Sequence, residues 1–374
     1  MTSGRNRLRR DVYSSRVATP ALGDLVARLS ADLTQRQLLD QLRQRGVFWG
    51  VETLRKMTQA MAELMSEHRH PAQVQQLLMW LNEAASSTGP RRFTLSVGRD
   101  GVMIPIVKCD TYKEASAATA SVLDRCGRRI GTVYLGQMPE PGQTTLSQQL
   151  TQLLTDVLAS WQGPMPRLTY VTDCGSHQTE YFEQVLSRMC HPCRPGELLP
   201  WEWVVDYYHA CQYITQLAEA IFGPGREALA WAAKQRKVLK EKPGGCFRVL
   251  RSAGALLSIR GLVGSEDAYG TAYNYLRNRT EKMDYSTYRR LRMPIGSGVT
   301  QAACKIVFTQ RFKQSGMKWK IECGKSILGV RVIALSGIWD QVRHAVLQSC
   351  RMPEPVTLSR SSKNSRQNGR KTAA

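Results

Sequence analysis

The sequence has no apolar run approaching the roughly 18–20 residues that cross a bilayer as a helix. That excludes an integral membrane protein built on helical spans. It has no internal repeat, which excludes a solenoid or propeller. Acidic residues are scarce: 30 Asp and Glu stand against 52 Lys and Arg in 374 residues, a formal charge of +22. An excess of that size points to a polyanionic partner, nucleic acid before an anionic membrane surface. Cysteine is too thin and too scattered, at ten residues, for a disulfide scaffold, so reduced thiols in a cytoplasmic protein are expected. Cys190 and Cys193 form a CxxC around His191, but no second CxxC or HxxxH completes a structural zinc site. Cys174, His177 and His209 are the residues able to converge on it, and free thiols beside a loop are the simpler reading. The first ten residues, MTSGRNRLRR, are basic with no apolar stretch behind them, so no secretory signal is expected.

What is present is organised by changes of hydrophobic period. Residues 1–20 are rich in Arg and Ser and read as a flexible basic arm. Residues 21–88 are helical. Leu25, Leu29 and Leu33 recur at helical spacing, Leu38, Leu39 and Leu42 follow, and after Arg45-Gly46 a helix carries Val51, Leu54, Met57 and Met61. Helix, glycine-containing turn, helix is the pattern of a DNA-reading helix-turn-helix and equally of a plain helical hairpin. Arg55 and Lys56 on the second helix favour the former. Ser86-Ser87-Thr88-Gly89-Pro90 ends this region.

From residue 89 the period becomes two. Phe93–Val97 and Val102–Val107 read as strands joined by Asp100-Gly101, a hairpin signal. Ile130–Tyr134 is a third strand, Leu146–Trp161 a helix, Leu168–Thr172 a fourth strand, Gln178–Met189 a helix, and Trp203–Val205 a fifth strand running into Asp206. Three neighbouring strands followed by alternating helix and strand give an α/β fold of the RNase H-like layout, a mixed sheet with helices on its faces. Residues 89–215 form the first part of this core. Residues 216–290 read as a helical insertion with a basic run from Lys234 to Lys242, and residues 291–350 as a helical part that completes the core. The tail, residues 351–374, is basic and low in apolar residues, so disorder is expected there.

Two aspartates stand out by position. Asp100 is expected at the tip of the first hairpin and Asp173 at the C-terminal end of the fourth strand. Carboxylates on neighbouring strand ends repel, which favours a divalent cation between them, and hard oxygen ligands suit Mg²⁺ or Mn²⁺. Such ions align attacking and leaving oxygens in phosphodiester chemistry. Each aspartate alone also has an ordinary reading, as a turn residue and a helix cap respectively. A third signal is sharper. Ile295-Gly296-Ser297-Gly298-Val299-Thr300-Gln301 is a turn that opens a helix, and a strongly basic segment follows it. Lys305, Arg311, Lys313, Lys318 and Lys320 are expected to track phosphates, with Trp319 as a stacking surface.

The segments IGSGVTQAACK, FTQRFKQSGMKW, VTDCGSH and DYYHACQYI, with LSVGRDGVMIP, resemble the Kra-type group of bacterial insertion-sequence DDE transposases. The resemblance covers most of residues 91–345. It implies an RNase H-like core with two aspartates and a glutamate around Mg²⁺, in which Asp100 matches the first aspartate and Asp173 the second. Asp206 matches a strand-end aspartate that is structural or a metal partner. Where the family carries its glutamate, this chain has Gln301, a neutral amide and a poorer Mg²⁺ ligand. Three readings follow: an inactivated copy that still binds DNA, a site completed by a neighbouring acid such as Asp206, or a catalytic glutamate elsewhere.

The leading expectation is therefore a DNA transposase, cleaving and joining DNA at element ends. Double-stranded DNA would be its partner, a homo-oligomer on DNA its working form, and the bacterial nucleoid its location. The alternative is a catalytically inactive, transposase-derived DNA-binding protein. A nuclease acting on RNA or hybrids is a weaker third class.

Overall fold

The computed structural model describes residues 18–194 and 196–349, so the expected basic arm falls almost wholly, and the expected tail wholly, outside the described residues. The chain opens with helices α1 (Pro20–Ser30), α2 (Gln35–Arg43) and the 36-residue α3 (Val51–Ser86). Thr34 caps α2 in a capping box with Gln37, which fixes the start of that helix. Strands β1 (Thr94–Ile104), β2 (Lys113–Leu123) and β3 (Arg129–Gln137) follow, then α4 (Thr144–Ser160), β4 (Arg167–Thr172), α5 (Ser176–Gln184) and β5 (Trp201–Val205). Helices α6 (Tyr207–Phe222), α7 (Arg226–Glu241), α8 (Gly245–Arg260), α9 (Glu266–Arg277) and α10 (Tyr285–Arg290) occupy the region read as an insertion. The chain returns through α11 (Gly298–Ala303), a π-helical turn at Cys304–Thr309, α12 (Ile321–Leu335) and α13 (Trp339–Ser349).

The strands form one α/β sheet in the order β3-β2-β1-β4-β5. Strands β1 to β3 form an antiparallel meander, whereas β1, β4 and β5 run parallel. The main core joins the sheet to the end of α3 and to α4 and α6–α9. A second core unites α1–α3 with Val330, Ile333, Ile338, Val342 and Val346, so helices from the two ends of the chain share one apolar interior. Among the described residues no helix is long and apolar enough to cross a membrane.

One expectation about the sheet is corrected. Asp100-Gly101 is not a hairpin tip. Strand β1 runs straight through it, Asp100 opposite Ala117 and Gly101 opposite Ser116, and the turn lies in residues 105–112. The physical reason is the ladder: β1 pairs with β2 without a break from Thr94 to Ile104, and that pairing overrides the local turn preference of Asp-Gly. Strand β2 escaped the sequence reading because Lys-Glu-Ala-Ser-Ala-Ala-Thr-Ala-Ser carries no large apolar side chain. Nine consecutive residues from Ala115 to Leu123 are nonetheless buried, covered on both faces. The stretch after Gly298, expected to be almost wholly helical, breaks at residues 313–320. There Trp319 instead bridges to Ile106, with Val107 N donating to Trp319 O at 2.9 Å.

Candidate active site

The β1/β4 register pairs Val97 with Tyr170, and the β4/β5 register pairs Thr172 with Val205. Carrying these registers forward to the strand ends sets Asp100, Asp173 and Asp206 level with one another across three adjacent parallel strands. The sheet alone thus gathers residues separated by more than a hundred positions.

Each aspartate is held differently. Asp100 is half-buried, and its Oδ1 accepts from Gly101 N at 2.8 Å. Burial raises its pKa, and the charge of Asp173 raises it further. Asp173 lies just past β4, with Oδ1 accepting from Gly175 N at 3.1 Å. Its carbonyl accepts from Tyr275 Oη at 2.8 Å, and Arg279 donates to the next carbonyl, that of Cys174, at 3.5 Å. Cys174 itself has a left-handed backbone (φ 63°), so α9 holds this loop in a strained shape. Neither Asp100 nor Asp173 makes an ion pair among the described residues.

Asp206 is fully buried and saturated with donors. It caps α6, its Oδ1 accepting from Tyr208 N at 2.7 Å and His209 N at 3.3 Å. Its Oδ2 accepts from Ser297 N at 3.0 Å, from the Ser297 hydroxyl, and from Gln301 Nε2 at 3.2 Å. Five donors leave this carboxylate acting as the clamp that ties the Gly-Ser-Gly turn to β5.

Helix α11 lies on the Asp100 face of β1. Gly98, on the same face as Asp100, admits it: a Cβ there would stand 2.1 Å from Thr300 Oγ1. Thr300 also meets Thr119 Oγ1 of β2 at 2.8 Å, a buried contact. This packing delivers Gln301 to the aspartates. Its amide carbonyl has no protein donor among the described residues, because only the NH₂ group is engaged, by Asp206. Cys304, one turn on, is buried beside Asp100, its Sγ 3.9 Å from Gly101 O, and burial and the Asp100 charge push its thiol pKa well up. Arg99 points to the other face, where it donates to Ser147 Oγ at 3.0 Å and Gln143 Oε1 at 3.1 Å under α4.

The expected phosphate-binding residues separate into two groups. Lys305, Lys313, Lys318 and Lys320 are exposed. Arg311 does not join them: it is 2% exposed and donates through Nε to Ser30 O at 3.3 Å. Trp319 is not a free stacking surface either. Its indole donates to Phe312 O at 3.0 Å, and its ring lies 4.5 Å from that of Phe312 and 5.0 Å from the Arg311 guanidinium. Arg55 and Lys56 of α3 both face Glu52, at 2.8 and 3.9 Å. Cys190 and Cys193 are exposed, and Cys193 N meets His191 Nδ1 at 3.1 Å. Among the described residues no three His, Cys, Asp or Glu side chains cluster closely enough to hold a metal ion. Tyr275, Arg279, Thr119 and Ser297 shape the site without having stood out in the sequence. Ser297 was within a quoted motif, whereas nothing in spacing links Tyr275 to Asp173.

No family model matches the sequence, and no curated protein matches it.

Proposed function

We propose that this chain is a DNA-processing enzyme of the DDE transposase type, cutting DNA at element ends and joining them to a target. The observation that carries this reading is the common level of Asp100 within β1, Asp173 just past β4 and Asp206 just past β5, with α11 bringing Gln301 to Asp206. The strand order β3-β2-β1-β4-β5 with β2 antiparallel supports an RNase H-like core. The charge of +22 supports a double-stranded DNA partner, engaged by a homo-oligomer at the bacterial nucleoid.

Asp100 and Asp173 offer hard oxygens in a half-buried place with no basic partner among the described residues, which fits one Mg²⁺ or Mn²⁺ completed by waters. When bound, that ion supplies Lewis-acid activation of a phosphodiester and of its nucleophile. Asp100, fixed by β1, and Asp173, fixed by Tyr275 and Arg279, set where the reacting phosphate lies. Water breaks the P–O3′ bond at the element end and leaves a 3′ hydroxyl. That hydroxyl then displaces a 3′ oxygen of the target strand. The Gln301 carbonyl is a weaker third oxygen than a carboxylate, so catalysis is slower than with glutamate at that position.

A second reading is favoured by the same residue. With a neutral amide at 301 whose NH₂ group is engaged by Asp206, the chain is a transposase-derived DNA-binding protein. Cleavage and strand transfer on element-end DNA with Mg²⁺ or Mn²⁺ separate the two. Activity in the native chain that Asp173→Asn abolishes supports the enzyme. An inert native chain revived by Gln301→Glu supports the binding protein. Activity that persists in Asp173→Asn overturns the assignment of the site.

A further inference from the structure

A groove of about 720 Å³ lies away from the aspartates, between the N-terminal helices and the segment that carries Trp319. Its floor is apolar, with Leu38, Leu54 and Ile327. Its walls carry Arg36, Arg55, Arg311, Lys318 and Lys320, and no acidic side chain lines it. Arg55 is already met by Glu52, but Arg36, Lys318 and Lys320 are exposed and make no ion pair among the described residues. Arg311 contributes the most telling group. It is 2% exposed, yet its Nη1 has no hydrogen-bond partner among the described residues, and burial and the neighbouring Arg331 lower its pKa to about 10. A buried guanidinium nitrogen left without an acceptor is costly unless a ligand supplies one.

We propose that this groove seats an unpaired stretch of DNA, its phosphates on Arg36, Lys318, Lys320 and Arg311 and a base on the apolar floor. The volume lies within the roughly 300–1,000 Å³ of small-molecule pockets, room for a base with its phosphate. An apolar floor takes the face of an unpaired base out of water, and cationic walls meet the charge on each linkage. The inference rests on the DNA-processing reading only for the identity of the polyanion.

The test is fluorescence anisotropy of the full chain, in EDTA, with a labelled 12-nucleotide oligo-dT and with a duplex of the same length, over 50–200 mM NaCl. The groove variant Arg36→Ala/Lys318→Ala/Lys320→Ala is compared with Lys234→Ala/Lys237→Ala/Lys242→Ala, which removes the same charge from exposed positions on and after α7. All six side chains are exposed, and unchanged thermal unfolding checks that both variants fold. The groove variant should bind oligo-dT at least ~10-fold more weakly, and the slope of log K on log salt should fall by about 2, at ~0.7 per lost phosphate contact. The control variant should shift much less. Wild-type affinity and slope in the groove variant, an equal loss in the control, or a loss confined to duplex would each overturn the proposal. If the native chain bound neither DNA, the DNA-processing reading would fall with it. Groove-dependent binding in EDTA, with a native chain inert on element-end DNA in Mg²⁺ or Mn²⁺, would count against the enzymatic reading and leave the groove standing.

Discussion

Replacing Gln301 by glutamate supplies the third carboxylate of the proposed site, and the structure says what that change costs the unliganded chain. Gln301 Nε2 donates to Asp206 Oδ2 at 3.2 Å, and Asp206 is fully buried with four further donors. A carboxylate at 301 cannot donate. It forfeits a hydrogen bond to a charged acceptor, worth about 1.5–3 kcal/mol. It also sets a like charge roughly 4 Å from Asp206, costing about 1 kcal/mol in water and about 4 kcal/mol at an effective dielectric of 20. Residue 301 is exposed, so the screened end of that range applies, and the sum is about 3 kcal/mol. The repulsion raises the proton affinity of the introduced glutamate in the folded state above its unfolded value. The destabilisation is therefore present in full above the folded pKa and disappears as pH falls below the unfolded values near 4. Urea unfolding of Gln301→Glu and the native chain in EDTA, at pH 8 and near pH 5, measures it. The gap should be widest at pH 8, and millimolar Mn²⁺ should close it, because ligand at about 100 times its Kd adds about 2.7 kcal/mol to the state that binds it. Equal stability of the two chains in EDTA at pH 8 would refute the geometry assigned to residue 301. A Mn²⁺ gain no larger in the variant than in the native chain would refute its place beside the metal ligands.

Three further outcomes follow from packing and charge. Gly98→Ala places a Cβ 2.1 Å from Thr300 Oγ1, so it should push α11 off the sheet, cost about 1–3 kcal/mol and depress cleavage; full activity in a kinetic assay would contradict the role of Gly98 in positioning Gln301. Asp100→Asn removes a carboxyl whose folded pKa is raised by burial and by Asp173, so in EDTA it should raise the urea midpoint at pH 7.5, with the advantage shrinking as pH falls toward the ordinary carboxylate range. A lower midpoint at pH 7.5 would contradict the mutual repulsion. Arg331→Ala orphans the carbonyls of Ala31, Ile306 and Val307, which Arg331 meets at 2.6, 2.8 and 3.0 Å, and should cost about 3 kcal/mol at roughly 1 kcal/mol each, read by urea unfolding.

The sequence by itself determined the order of most elements, because apolar period is a local property. Leu168–Thr172 and Trp203–Val205 fall within β4 and β5, and Leu146–Trp161 matches α4 to within a residue or two. It failed where burial does not require large side chains. Strand β2 is built of alanine, serine and threonine and is buried on both faces, a fact that periodicity cannot carry. Turn chemistry misled at Asp100-Gly101, where pairing of β1 with β2 carries the chain straight through. Asp173 and Asp206 were legible singly as strand-end acids, whereas Asp100 was read at a turn and lies inside β1; the common level of the three is a matter of register between strands and exists only once the sheet forms. The saturation of Asp206, the withdrawal of Arg311 from the surface and the groove between the two ends of the chain were decided by tertiary packing alone. Charge in a sequence says how many cations there are, whereas the fold decides which of them face water and which face a carbonyl.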